Sequence, residues 1–194
     1  MNKYMQYSRE VRESGKNEEA FALITPRAEA GEPDAMEILC DTYYYGNWGI
    51  KDYAKSLYWG EKAIAAGSVN AKEILGIQYL NGYGVAPDPE KAVSLLQDAI
   101  RGGCRKAGRF LGLYWLKGQG GTIDPAEAKS WFQLAAERGD VTSQYYLGTC
   151  YENGSGCERN MDEAIHWYQM AAQRKDRIGQ PAIDALARLG VPCE

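Results

Sequence analysis

A register of 36 residues, repeated without a gap, constrains this chain more than any other feature. Gly31, Gly67, Gly103 and Gly139 share one phase, and Leu39, Leu75, Leu111 and Leu147 share a second. Gly46, Gly82, Gly118 and Gly154 follow, then Asp52, Asp88, Asp124 and Asn160, then Ala63, Ala99, Ala135 and Ala171. Self-similarity at this period is the signature of stacked supersecondary units, each too small to bury its own apolar face.

Each copy reads as two helices. In the first, Ala35, Leu39 and Tyr43 are spaced by four and share a face, as do Ala71, Leu75 and Tyr79, and Ala107, Leu111 and Trp115. A glycine loop such as Gly82-Tyr83-Gly84 closes it. Asp88-Pro89 and Asp124-Pro125 then supply an N-cap and a first helical position for the second helix. The fold class expected is all-α, a right-handed α/α superhelical solenoid of helix pairs. The chain divides as one domain, 1–194. A degenerate capping pair covers 1–33, with helices over Lys3 to Ser14 and Glu18 to Ala30. Four repeats cover 34–67, 68–103, 104–139 and 140–175. A capping helix in 176–194 runs from Pro181 to Leu189, with Ile183, Leu186 and Leu189 facing the last repeat.

Hydrophobic residues make up 45% and charged residues 25%, the balance of a folded chain. A net charge of −4 sets up no global basic field, so nucleic acid is not an expected partner. Met1 to Gln6 lack a signal-peptide pattern, and no apolar run is long enough to span a bilayer. The five cysteines include no C-x-x-C pair, which suits thiols used for packing in a cytoplasmic protein. Cys150 and Cys157 are close enough in sequence for a disulfide, an alternative that stays open.

Little points to catalysis. His166 is the only histidine, which excludes multi-histidine metal sites. Gly118-Gln119-Gly120-Gly121 follows a helix rather than a strand, so it reads as a turn and not a phosphate loop. Asp162-Glu163 and Asp88 with Glu90 lie at helix starts, where the dipole favours negative charge. No catalytic residue, cofactor or metal is expected, and a hydrolase is the remote alternative.

The motif Ala71-x-x-x-Leu75-Gly76-x-x-Tyr79-x-x-Gly82-x-Gly84-Val85, followed by Asp88, Lys91 and Ala92, resembles the Sel-one-like repeat (SLR) family, relatives of tetratricopeptide repeats. The likeness runs from about Asp34 to Arg174. Copy one departs from it with Cys40 for glycine and Trp48 for the second loop glycine, and copy four with Cys157 and Asn160. The resemblance implies first helices lining a concave side and an adaptor or scaffold role. For some bacterial relatives it implies immunity against a secreted toxin. Cysteine-rich relatives have been connected with β-lactam binding, but Lys72 and Ile100 stand where their cysteines would fall, and no Ser-x-x-Lys occurs.

The partner expected is another protein, met as a peptide segment or as a folded toxin or effector surface, with the chain itself a monomer or weak oligomer. First-helix positions that vary between copies are expected to face the groove. These are Glu37, Asp41 and Tyr44 in copy one, then Glu73, Ile77 and Leu80, then Arg109, Leu113 and Leu116, then Tyr145, Thr149 and Glu152. Ile77, Leu80, Leu113 and Leu116 read either as an exposed apolar patch or as residues buried between neighbouring first helices. Residues 104–139 carry six Lys or Arg against three acids, a basic segment in an acidic protein that suits an acidic stretch of the partner.

Overall fold

The computed structural model describes residues 17–192, so the helix expected over Lys3 to Ser14 and Cys193 lie outside the described residues. Ten α-helices and no strand are found among the described residues. They are α1 (Asn17–Glu29), α2 (Pro33–Tyr45), α3 (Tyr53–Ala65), α4 (Asn70–Asn81), α5 (Pro89–Arg101), α6 (Ala107–Lys117), α7 (Pro125–Glu137), α8 (Val141–Asn153), α9 (Met161–Ala172) and α10 (Gln180–Arg188). Two compact units emerge, Met1–Cys104 and Arg105–Glu194. The first contains α1 to α5 and the second α6 to α10.

The helix boundaries follow from local chemistry. Asp52, Asp88, Asp124 and Asn160 each accept a hydrogen bond from a backbone N–H in the first turn of the helix they open. Removing such a cap costs about 1 kcal/mol. The N–H of the same residue donates to the carbonyl of an aromatic residue on the preceding helix. The four pairs are Asp52 to Tyr43, Asp88 to Tyr79, Asp124 to Trp115 and Asn160 to Tyr151, at 2.9 to 3.1 Å. One residue thus starts the second helix and fastens the loop to the first. The glycines that end the first helices sit at φ between 63° and 75°, the left-handed cap that side chains resist.

In the first unit, Leu39, Leu75, Trp48 and Trp59 pack into one cluster with Ala35, Ala63 and Ala71. In the second, Phe132 and Leu147 form one cluster. Tyr168 forms another with Ala182, Ala185 and Leu186 of α10. Ile183 and Leu189 pack against that cluster, so the last helix docks by the face the sequence indicates.

Where the two helices of a pair cross, bulk on one is matched by a gap on the other. A Cβ on Gly112 would lie 2.5 Å from Phe132, and one on Gly148 would lie 2.6 Å from Tyr168. The first repeat reverses the assignment. Cys40 occupies the usual glycine position, and Gly60 stands where Leu96, Phe132 and Tyr168 stand in later copies. A Cβ on Gly60 would meet the Leu75 side chain first and then, at 2.9 Å, the Cys40 Sγ. The departure at Cys40 is therefore one half of a compensated pair.

Trp48, the other departure in that copy, takes the left-handed conformation itself, at φ 60°. It remains there because its ring is buried and meets Phe21 edge-on at 4.7 Å between centroids. At the matching position in the next copy a side chain could not fit, since a Cβ on Gly84 would lie 2.8 Å from the backbone of Tyr53.

Candidate functional site

The variable positions of the first helices form the joints from one repeat to the next. Glu37 accepts hydrogen bonds from the Ser68 hydroxyl at 2.6 Å and the Asn70 amide at 2.8 Å. One period on, Glu73 accepts from the Cys104 thiol at 2.8 Å, and both side chains are buried. One period further, Arg109 reaches Asp140 at 3.4 Å and Thr142 at 3.2 Å. Ser68, Cys104 and Asp140 share one phase of the 36-residue register. The same joint is thus built as acid with hydroxyl, acid with thiol, and base with acid.

In the last repeat Glu152 plays the corresponding part for the terminal helix. It binds Arg188 of α10 at 2.7 Å and accepts from the Tyr168 hydroxyl at 2.7 Å. The Arg188 guanidinium holds the Glu152 carboxyl below its ordinary range, against the opposing pull of burial. Tyr145 packs on the same terminal cluster.

The apolar positions divide. Ile77 is buried, at 4% exposure, so it belongs to the packing and offers no docking surface. Leu80, Leu113 and Leu116 are half-buried and pack against the cores of their own units. Thr149 turns its hydroxyl back to the Tyr146 carbonyl at 2.7 Å. Of the twelve groove positions, Glu73 and Ile77 are thus withdrawn from solvent, while Tyr44, Leu80, Leu113 and Leu116 retain a solvent-facing edge.

Tyr44 leads to a surface that repeat arithmetic misses. Its ring meets Tyr45 edge-on at 4.8 Å and Tyr53 at 5.7 Å, and Tyr53 stacks on Tyr83 at 4.9 Å. Tyr45 is 51% exposed and Tyr83 38%. Burial, with the neighbouring tyrosines, pushes the Tyr44 phenol up, so it stays a neutral donor. The signal available in the sequence was the run Tyr43-Tyr44-Tyr45, which no other copy repeats.

Two of the thiols are kept protonated by burial. Burial pushes the Cys40 thiol up to about 12 and the Cys150 thiol up to about 11. Thiolate, the nucleophilic form, is therefore scarce at either near neutral pH. Cys150 and Cys157 are separate thiols, which corrects the disulfide alternative. The Cys157 Sγ points to the Cys150 backbone carbonyl, 3.8 Å away. His166 is exposed beside Trp167. Among the described residues no group of three or more His, Cys, Asp or Glu could hold a metal, and no helix is long and apolar enough to cross a membrane.

An array of capped helix pairs with inert buried thiols defines a class, the helical repeat protein of the solenoid kind. The chain belongs to the Sel1 repeat family, whose model matches residues 33–68, 71–104, 107–140 and 141–176. The fold is similar to that of a Sel1 repeat protein from Oxalobacter formigenes, at 26% identity and a TM-score of 0.81, over 93% of this chain and 74% of that one. It is also similar to a protective antigen of uropathogenic Escherichia coli strains with an SLR fold. That likeness stands at 32% identity and a TM-score of 0.74, and covers 88% of this chain but 37% of the antigen. A Sel1 repeat protein from Klebsiella pneumoniae subsp. pneumoniae matches at 25% identity and a TM-score of 0.63, over 94% of this chain and 89% of that one. No curated protein matches the chain. Sel1 repeat proteins generally mediate protein–protein interactions.

Proposed function

We propose that this chain is an adaptor that captures a partner protein on the solvent-facing edges of its first helices. Tyr44 and Leu80 would carry the contact in the first unit, and Leu113 and Leu116 in the second. The observation that carries the reading is the tyrosine cluster in which half-buried Tyr44 leads to exposed Tyr45 and Tyr83. Tyrosine supplies large contact area at little cost in side-chain entropy and is enriched among residues that dominate binding. Glu73, Arg109, Tyr145 and Glu152 support the site from behind by fixing the repeats, and Thr149 does so within its own helix. The chain works as a monomer or weak oligomer in this reading. A cytoplasmic address belongs to it too, supported by Cys40 and Cys150 serving as buried core thiols.

Affinity capture from the source organism tests the reading. Wild type should retain a partner that Leu80→Glu with Leu113→Glu loses, while helicity and melting temperature hold. Undiminished capture by the variant would sink the first-helix site, and a collapse of helicity would show those leucines to be core. A secreted toxin as the captured partner would turn the adaptor reading into an immunity role.

A further inference from the structure

Within the second unit, a cleft of about 120 Å³ opens beside the starts of α6 and α8. Arg105, Lys106, Arg109 and Arg174 line it together with Asp140 and Thr142. The two acids nearby are already engaged. Asp140 accepts from the Ser143 N–H and hydroxyl at 2.8 and 2.7 Å and meets Arg109. Asp176 holds Arg174 through Nε at 2.7 Å. Arg105 and Lys106 are exposed and pair with no acid among the described residues. Helix α6 starts after Lys106 without a side-chain cap, so the positive end of its dipole adds to the same field.

We propose that this cleft seats carboxylate side chains of an acidic segment of the partner protein. The inference rests on the adaptor reading and adds the chemistry of what is bound. Size favours a side chain over a metabolite, since small-molecule pockets usually run from roughly 300 to 1,000 Å³. The walls favour peptide over nucleic acid. Exposed Ile178 and half-buried Val141 border the cations, which suits an apolar residue next to an acid. The chain as a whole carries −4, which opposes a polyanion that must be followed over many phosphates.

The test uses the full chain and a fluorescein-labelled decapeptide of glutamates interrupted by leucine, read by anisotropy at low salt. The glutamine counterpart, a single-stranded RNA of equal charge and the variants Arg105→Glu with Lys106→Glu and Lys117→Glu complete the set. The peptide should bind wild type, and the double variant should weaken it about tenfold, as expected when two surface ion pairs become repulsions. Lys117→Glu, equally exposed but outside the cleft, should leave binding within about twofold. Equal binding of the glutamine peptide, tighter binding of the RNA, no detectable peptide binding, or equal losses in both variants would each overturn the proposal. Such a failure stays distinct from failure of the adaptor reading, which is judged by partner capture with Leu80 and Leu113 altered.

Discussion

In the first repeat the helix crossing sets Cys40 against Gly60, whereas in the fourth it sets Gly148 against Tyr168. The backbone is the same and the bulk has changed sides. Around the small crossing the first unit adds polar fastening. The Ser56 hydroxyl lies 2.9 Å from the Cys40 carbonyl and 3.2 Å from Gln78 Oε1. The Gln78 amide nitrogen donates to the carbonyls of Tyr53 and Tyr83, at 2.8 and 3.0 Å. The fully buried Gln78 thereby ties a loop to the start of the preceding second helix. At the same phase the fourth repeat has Cys150, and its crossing is filled by an aromatic ring whose hydroxyl meets Glu152. Two solutions to one packing problem show that the repeat specifies a volume to be shared, not a residue at each position.

The largest effect should come from forcing the later solution onto the first repeat. Gly60→Leu places new atoms against Leu75 and Cys40 and should cost about 3 kcal/mol. Adding Cys40→Gly should restore the part of that loss that Cys40 causes, in urea denaturation, and leave the part caused by Leu75. A double variant no more stable than the single one would break the comparison. A smaller loss is expected for Trp48→Gly. Relief of the left-handed strain is worth about 1 kcal/mol, but losing the buried ring costs about 3 kcal/mol or more, leaving a net loss of about 2 kcal/mol. A variant as stable as wild type would show that the Phe21 contact does not hold this loop.

The smallest effect belongs to the fourth repeat. Glu152→Gln removes the charge that Arg188 meets, and because Arg188 is more than half exposed the loss should be about 1 kcal/mol or less. The sign with pH follows from the lowered Glu152 pKa. The pair's contribution is complete above the ordinary value of 4.5 and fades as pH falls through the lower folded value. The protection factor of α10 against hydrogen exchange, taken relative to the intrinsic rate at each pH, should therefore fall in acid for wild type and show less pH dependence in the variant. Equal acid sensitivity in both would remove Glu152 as the clasp of the terminal helix.

The repeat, the helix pairs and the cap residues were legible in the sequence, because each depends on neighbours close in the chain. Asp88-Pro89 can start a helix, and Gly82 can end one, without help from elsewhere. The first-helix surface was only half legible. Periodicity identifies which positions share a face, but whether that face meets solvent depends on how far the adjacent repeat reaches. Ile77 and Glu73 lie on such a face and are buried. The disulfide alternative failed for a related reason, since seven residues of separation say nothing about where two thiols point.

The 36-residue register by itself determined that this chain is an array of helix pairs with matching caps and loops. Only the tertiary structure decided that Glu37, Glu73 and Arg109 serve as joints, that Cys40 answers Gly60, and that Arg105, Lys106, Arg109 and Arg174 converge on one cleft. The physical reason is distance along the chain. Local hydrogen bonds are set within a few residues, whereas each of these arrangements joins side chains from different helices, and their meeting depends on how those helices pack.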